Sequence, residues 1–221
     1  MEKKSRKRKT NNSLIREIKA KSDNQQKYLN AIYDNEIVFC IGPAGTGKTM
    51  LSCSCAAKFL AEGKIDKIIL CRPAVEAGEK LGYLPGTLED KINPYLRPIY
   101  DALEYFMGRA AVNDFIEQGS IEIVPLAFMR GRTLSNAFVI LDEAQNTNVK
   151  QMHMFLTRMG ENSHFVINGD ITQTDLETQS SGLKDAWDRL GNIHGIKLIE
   201  LERQDIIRHP LVQKIVDRYE E

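Results

Sequence analysis

Long apolar segments are absent from this sequence. No stretch approaches the roughly 18–20 apolar residues that a membrane-spanning helix requires, and no apolar run follows the charges at the N-terminus. A net charge is also absent, because 30 Lys and Arg residues balance 30 Asp and Glu residues. We therefore expect a cytosolic protein with no membrane partner, in which any site for a polyanion comes from a local cluster of charge.

Metal-ligand spacing of cysteine and histidine is absent as well. The chain has four cysteines, Cys40, Cys53, Cys55 and Cys71. They form no Cys-x-x-Cys pair, and no histidine stands at ligand spacing from them. We expect them to be small reduced core residues rather than ligands of a metal.

The charge that does cluster lies at the N-terminus. The first ten residues are rich in Lys and Arg and poor in apolar side chains, so residues 1–12 are expected to form a disordered basic tail. A plain solvated tail and an arm that touches nucleic acid are both open readings. The length of 221 residues then leaves one domain, over residues 13–221.

Short apolar runs alternate with stretches of helical spacing along the rest of the chain. Strands are predicted at 36–41, 67–71, 120–125, 137–141, 164–168 and 196–201. Helices are predicted at 14–20, 24–33, 48–62, 93–106, 149–158, 181–190 and 209–220. Because the strands are uniformly apolar, we expect an α/β fold with a mostly parallel sheet and helices on both faces.

A phosphate-binding motif follows the first predicted strand. The pattern G-x-x-x-x-G-K-[ST] is matched by Gly42, Pro43, Ala44, Gly45, Thr46, Gly47, Lys48 and Thr49. Its backbone N–H groups are expected to wrap the phosphates of ATP, with Lys48 on the β- and γ-phosphates. The Thr49 hydroxyl is expected to ligate Mg²⁺.

Two carboxylates end the apolar run at 138–141. Asp142 stands where a Walker B strand delivers its magnesium-binding carboxylate. Glu143 is then placed to orient or deprotonate the attacking water. The alternative is that the strand simply ends in two acidic residues that face solvent. The phosphate-binding motif earlier in the chain disfavours this alternative.

Three further residues are candidates for the same site. Gln173 follows the strand at 164–168 and a Gly-Asp turn, so it could touch the γ-phosphate or the attacking water. Arg203 and Arg208 follow the last strand, and either could place a guanidinium on the transition state, in cis or from a neighbouring subunit. Ordinary surface arginines fit the spacing equally well.

Basic and aromatic residues are interleaved between the second and fourth predicted strands. The set comprises Arg72, Lys80, Lys91, Arg97, Arg109, Arg130 and Arg132 with Tyr83, Tyr95, Tyr100 and Phe128. Such a set suits a groove for single-stranded nucleic acid, RNA or DNA. It could equally be salt-bridged surface and packed core.

Six blocks in order resemble the PhoH-type ATPases, a family related to superfamily 1 helicase motors. These blocks are 41–49, 72–82, 94–98, 125–133, 141–147 and 208–212. The resemblance covers nearly the whole chain and implies a single P-loop NTPase (RecA-like) domain. It also implies Mg-dependent ATP hydrolysis coupled to RNA or single-stranded nucleic acid.

The resemblance also implies roles for particular residues. Gln25 resembles the helicase glutamine that reads adenine, and Gln173 resembles the sensor of the γ-phosphate. Arg208 resembles an arginine that completes a neighbour's site, so a homo-oligomer such as a hexamer is implied. Two alternatives stay open, a nucleotide-controlled binding protein and, less favoured, a P-loop kinase.

Overall fold

The fold is built on a six-stranded parallel sheet. The computed structural model describes residues 15–73, 88–173 and 181–207 and positions 211, 212, 215 and 218, with the backbone alone for 88–95. The strands are β1 (Ile37–Ile41), β2 (Lys67–Arg72), β3 (Ile121–Pro125), β4 (Ala137–Leu141), β5 (His164–Gly169) and β6 (Ile196–Glu200). They lie in the order β3-β2-β4-β5-β1-β6, and every described pairing is parallel.

Helices cover both faces of this sheet. They are α1 (Asp23–Asp34), α2 (Lys48–Ala61), α3 (Leu88–Met107), α4 (Arg109–Glu117), α5 (Val149–Leu156) and α6 (Gly182–Leu190). Short 3₁₀ turns span Leu126–Met129, Ala144–Asn146 and Arg203–Asp205. None of the described helices has the length and apolarity that crossing a membrane would require.

The apolar side chains of the strands pack into two separate cores, one on each face of the sheet. In β4, Phe138 and Ile140 pack with the core that contains α1, α2 and α3, whereas Val139 and Leu141 pack with the core beneath α5 and α6. This alternation follows from the two-residue period of a strand. A strand buried on both faces has no polar side to show, which is why its sequence reads as a continuous apolar run.

The four cysteines are buried and unpaired within these cores, as the sequence indicates. Burial raises the pKa of each thiol above its ordinary value, and that of Cys55 to about 12. Thiols in such surroundings stay protonated and inert at neutral pH.

Three sequence-based assignments differ from the structure. Residues 15–20 are not helical: the N–H of Arg16 donates to the carbonyl of Phe106, and Ile15 and Ile18 pack on the core. Helix α4 was not predicted, because it spans only nine residues and begins without a side-chain cap, although Val112, Phe115 and Ile116 pack on the core. The predicted helix at 93–106 begins earlier, at Leu88.

A buried chain of polar side chains ties the first two helices to the sheet. The Tyr28 hydroxyl donates to Asn168 Oδ1 at 2.6 Å, and Asn168 Nδ2 donates to Ser52 Oγ at 2.9 Å. Ser52 Oγ in turn donates to the carbonyls of Lys48 and Thr49. Since each buried polar atom has a partner here, the start of α2 is held in a fixed place above β5.

Candidate nucleotide-binding site

The candidate site lies at the carboxyl edge of the sheet. Strands β4, β5 and β1 are neighbours and run in the same direction, so their carboxyl ends meet at one place. Gly42 follows β1, Asp142 follows β4 and Asp170 follows β5. Ligands of open parallel sheets bind at this edge.

The loop at 42–49 has a backbone that two of its glycines make possible. Gly47 caps α2 with φ +88°, and Gly42 has φ +151° with its α-carbon against the backbone of Leu201. A side chain at Gly42 would collide with that carbonyl, and L-residues rarely adopt either φ. The loop therefore turns tightly into the N-terminus of α2, where free N–H groups and the helix dipole attract an anion.

Lys48 lies within the loop rather than in solvent. Its Nζ donates to the carbonyls of Gly42 at 2.5 Å and Pro43 at 3.0 Å. Burial lowers the pKa of Lys48 from its ordinary value, while the nearby carboxylates of Asp170, Asp142 and other groups act in the opposite direction. A partly desolvated ammonium at this place gains from an arriving phosphate.

Asp142 joins the loop to the sheet. The Thr49 hydroxyl donates to Asp142 Oδ1 at 2.7 Å, and the N–H of Asp142 donates to the carbonyl of Cys71. The other carboxylate oxygen, Oδ2, accepts from Arg72 through Nε at 3.0 Å and Nη2 at 2.5 Å. Both oxygens of this buried side chain are thus engaged, as a buried carboxylate requires.

Glu143 is fixed by its backbone and by two side chains. Its φ of +54° lies in the left-handed region, which non-glycine residues occupy rarely and often at functional sites. Gln145 Nε2 donates to Glu143 Oε2 at 2.7 Å, and Arg72 Nη2 lies 3.5 Å from Oε1. The carboxylate remains 47% exposed, so it is held in place and still open to the cavity.

Gln145 connects the ends of β4 and β5. Its Oε1 accepts from the N–H of Asp170 at 3.0 Å, while its amide nitrogen holds Glu143. Sequence reasoning assigned no role to Gln145 or to Arg72 in this site. The signal for Arg72 was present as a charged residue at the end of a buried strand, although which carboxylate it would meet depends on strand order.

Among the described residues, one carboxylate oxygen of Asp170 has no hydrogen-bond partner. Oδ1 accepts from the N–H and hydroxyl of Thr172, whereas Oδ2 is buried and accepts from no described group. An orphaned buried acceptor costs free energy unless a water, ion or donor reaches it. Its position beside Lys48 and Thr49 makes it a feature that a bound ligand or its waters would satisfy.

A cavity of about 250 Å³ brings the predicted residues together. Its lining includes Lys48, Thr49, Asp142, Glu143 and Gln173. Gln173 is exposed, and its N–H donates to the carbonyl of Asp170. The five residues that sequence motifs place around one phosphate group therefore do share one cavity.

Gln25 lies beside the loop at 42–49, which we call the phosphate loop, and is 2% exposed. Its Nε2 donates to the carbonyl of Thr46 at 2.9 Å, and its Oε1 accepts from the N–H of Lys21. The carbonyl of Asp205 lies at 3.5 Å from the same nitrogen. Gln25 therefore braces the phosphate loop against α1 and the turn after β6.

Of the two candidate arginines after β6, the structure describes Arg203 and does not describe Arg208. Arg203 lies exposed in the 3₁₀ turn, and the N–H of Ile207 donates to the carbonyl of Gly45, so the chain returns to the phosphate loop there. Arg208 lies outside the described residues, as does most of the predicted helix at 209–220.

The basic and aromatic set does not form one surface in the described residues. Arg72 faces the carboxylates of Asp142 and Glu143, and Arg132 pairs with both oxygens of Glu122 at 2.6 and 2.7 Å. The side chains of Phe128 and Arg130 are exposed beyond β3. Outside the described residues lie Lys80, Tyr83 and the side chains of Lys91 and Tyr95.

The oxygen donors of the site fit Mg²⁺. Thr49 Oγ1 and Asp142 Oδ1 are hard ligands 2.7 Å apart beside a helix N-terminus. Mg²⁺ in phosphate sites takes one or two protein oxygens and completes its shell with phosphates and water. Grouped His, Cys, Asp and Glu ligands, which a metal held by protein alone would need, are not found among the described residues.

Comparison with known proteins gives the family. The sequence profile described as PhoH-like protein matches residues 17–220. The chain belongs to the PhoH family. The PhoH-like proteins of Synechocystis sp. and Bacillus subtilis are 52% and 53% identical to it, over 92% and 96% of this chain. This PhoH chain spans 62% and 66% of the length of those two relatives.

Solved structures agree on the fold. The large terminase of a thermophilic bacteriophage has a TM-score of 0.54 at 12% identity, over 89% of this chain and 50% of the terminase chain. A second structure of that terminase, in complex with ADP, has a TM-score of 0.53 at the same identity, over 89% of this chain and 49% of the terminase chain. The predicted α/β P-loop fold of this PhoH chain is therefore confirmed.

Proposed function

We propose that this PhoH-family chain binds ATP with Mg²⁺ in the cavity at the carboxyl edge of the sheet and hydrolyses it. The observation that carries the proposal is the contact of Thr49 with Asp142, with Lys48 and Glu143 lining the same cavity. A phosphate-binding helix N-terminus, a metal-binding pair and a free carboxylate are the parts that phosphoryl transfer to water needs. The ADP complex of the terminase, which shares the fold, agrees with a nucleotide site.

The position of each residue in the cavity determines the role that we propose for it. The N–H groups of the loop at 42–49 bind the phosphates, and Lys48 leaves its two carbonyl partners to meet the β- and γ-phosphates. Thr49 and Asp142 hold Mg²⁺, which when bound neutralises charge between the β- and γ-phosphates. Gln173 lies at the rim, where it can contact the γ-phosphate or the attacking water.

Glu143 is the proposed general base. Gln145 holds one of its carboxylate oxygens, and the open side of the carboxylate faces the cavity. A carboxylate that is fixed within one water of the γ-phosphate can orient that water and accept its proton. The strained backbone at Glu143 aims the side chain away from the strand and toward the cavity.

Replacing Glu143 by Gln tests the base. The amide keeps the shape of the side chain but cannot accept the proton, so turnover should fall by about 10²–10⁴-fold while ATP still binds. Steady-state phosphate release and nucleotide binding are measured on the same protein. Glu161→Gln, at an exposed glutamate away from the cavity, is the matched control. Hydrolysis by Glu143→Gln at the parental rate would show that another group activates the water.

We further propose that Gln25 selects adenine. Its amide braces the phosphate loop through Thr46, next to the place where a nucleotide would lie. Gln25→Ala should weaken ATP binding more than GTP binding, measured by competition against a fluorescent ADP. An equal loss for both nucleotides would mean that Gln25 only braces the loop.

Coupling to RNA or single-stranded DNA is the third part of the proposal. Phe128 is 50% exposed, and Arg130, two positions further along the chain, is also exposed; both follow the carboxyl end of β3. An exposed ring beside a guanidinium is the pair on which a base can stack next to its phosphate. The family resemblance supports the same partner.

Steady-state ATP hydrolysis with and without single-stranded RNA and DNA tests this coupling. Stimulation should appear with one of them and should be lost in Phe128→Ala and Arg130→Ala, whereas Arg189→Ala on α6 should keep it. The reason is that Arg189 pairs with Asp185 within its own helix. A rate that neither nucleic acid changes would favour a nucleotide-controlled binding protein.

A homo-oligomer, such as a hexamer, in which Arg208 completes a neighbour's site is the last part. The described chain reaches the loop at 42–49 at Ile207, whose N–H donates to the carbonyl of Gly45, and the family resemblance supports this role for Arg208. Arg208→Ala should lose turnover, and mixing it with Lys48→Ala protein should restore part of it. If the mixture forms oligomers but stays inactive, Arg208 does not act in trans.

A further inference from the structure

One guanidinium contacts both carboxylates of the candidate site. Arg72 lies 2.5 Å from Asp142 Oδ2 and 3.5 Å from Glu143 Oε1, both measured from Nη2. The side chain of Asp142 is 3% exposed and that of Arg72 is 15% exposed, so the contact between these two side chains is shielded from solvent. A shielded pair interacts far more strongly than an ion pair on the surface.

Strand order produces this contact. Strand β2 pairs with β4, and Cys71 is the register partner of Leu141. The next residues of the two strands, Arg72 and Asp142, therefore leave the sheet side by side. The sequence keeps them 70 positions apart, and only the parallel register brings them together.

The contact matters because Asp142 has no solvent to balance its charge. In the absence of metal, Thr49 engages Oδ1 through a neutral hydroxyl, and Arg72 supplies a full positive charge at Oδ2. A buried carboxylate that loses its counter-ion pays a large desolvation cost. Mg²⁺ would bring a second and larger positive charge to the same carboxylate.

We propose that Arg72 is a positioning residue that acts as the internal counter-ion of Asp142 and Glu143 and competes with Mg²⁺ for Asp142. This inference rests on the proposed function and adds a control of its metal requirement. In the metal-free protein Arg72 holds the two carboxylates together.

Competition between Arg72 and Mg²⁺ predicts the direction in which the affinity for Mg²⁺ changes when Arg72 is replaced. Removing the charge of Arg72 leaves only the more distant ammonium of Lys48 to offset the charge of Asp142 in the metal-free protein, which lowers the stability of the protein and raises its affinity for a cation. Even at the dielectric constant of water, the loss of one positive charge a few ångströms from a divalent cation should tighten Mg²⁺ binding by about tenfold. A residue that only oriented Asp142 would have the opposite effect, because its loss would weaken Mg²⁺ binding.

The test is the apparent dissociation constant of Mg²⁺ in the presence of saturating ADP, measured by calorimetry. Arg72→Gln should bind Mg²⁺ about tenfold tighter than the parent. Arg72→Lys should fall between the two, because an ammonium keeps the charge but lacks the planar fork. Arg132→Gln is the matched control, since Arg132 makes an equally close pair with Glu122 and should leave the constant unchanged.

A second readout requires no metal and no activity. With a chelator present, Arg72→Gln should unfold at a lower temperature than the parent. The double variant Arg72→Gln with Asp142→Asn should recover most of that loss, because it removes the charge that lacked a partner. This pair of variants also decides the question if Arg72→Gln folds poorly.

The outcomes of these experiments distinguish a failure of the Arg72 inference from a failure of the proposed function. Unchanged or weaker Mg²⁺ binding by Arg72→Gln, in a parent that binds Mg²⁺ with ADP, would overturn the inference and leave the proposed function standing. Failure of the double variant to regain stability would overturn it as well. A parent that binds no Mg²⁺ with ADP would refute the proposed function, and the inference with it.

Discussion

The hydrogen bond from Thr49 to Asp142 is the constraint on which the rest of the site depends. It joins the first turn of α2 to the end of β4, two elements that lie far apart in the sequence. Once it is made, the phosphate loop and the acidic strand end share one cavity with Lys48 between them. The buried chain from Tyr28 through Asn168 to Ser52 fixes the other side of the same turn. The start of α2 and the end of β4 are therefore already held together before any ligand arrives, which lowers the cost of binding.

The motifs made most of the fold and the centre of the site predictable. Apolar runs with no polar side indicate a parallel sheet covered on both faces, and the loop at 42–49 identifies the strand and helix that flank it. These are local signals, so one sequence suffices to read them. Residues 15–20 were misread as a helix because their packing depends on Phe106, which a local pattern does not contain. Helix α4 was missed because it spans only nine residues and begins without a side-chain cap, although Val112, Phe115 and Ile116 form an apolar face.

The partners of the site's carboxylates could not be read from the sequence. Arg72 meets Asp142 because β2 lies beside β4, and Gln145 meets Asp170 because β4 lies beside β5. Neither adjacency follows from spacing along the chain. The sequence left Arg72 open between a nucleic-acid groove and a salt-bridged position, and the structure places it against Asp142 and Glu143. Charged residues at strand ends thus need the strand order before they can be assigned.

The central claim is that the loop at 42–49 binds nucleotide phosphates. The most direct measurement is the unfolding temperature with and without ATP and Mg²⁺, for the parent and for Lys48→Ala. A ligand at 100 times its dissociation constant stabilises the folded state by about 2.7 kcal/mol, so the parent should show a clear rise. Lys48→Ala should show little or none, because the phosphates lose their cation. An equal rise in both proteins would contradict the account, since the nucleotide would then bind elsewhere.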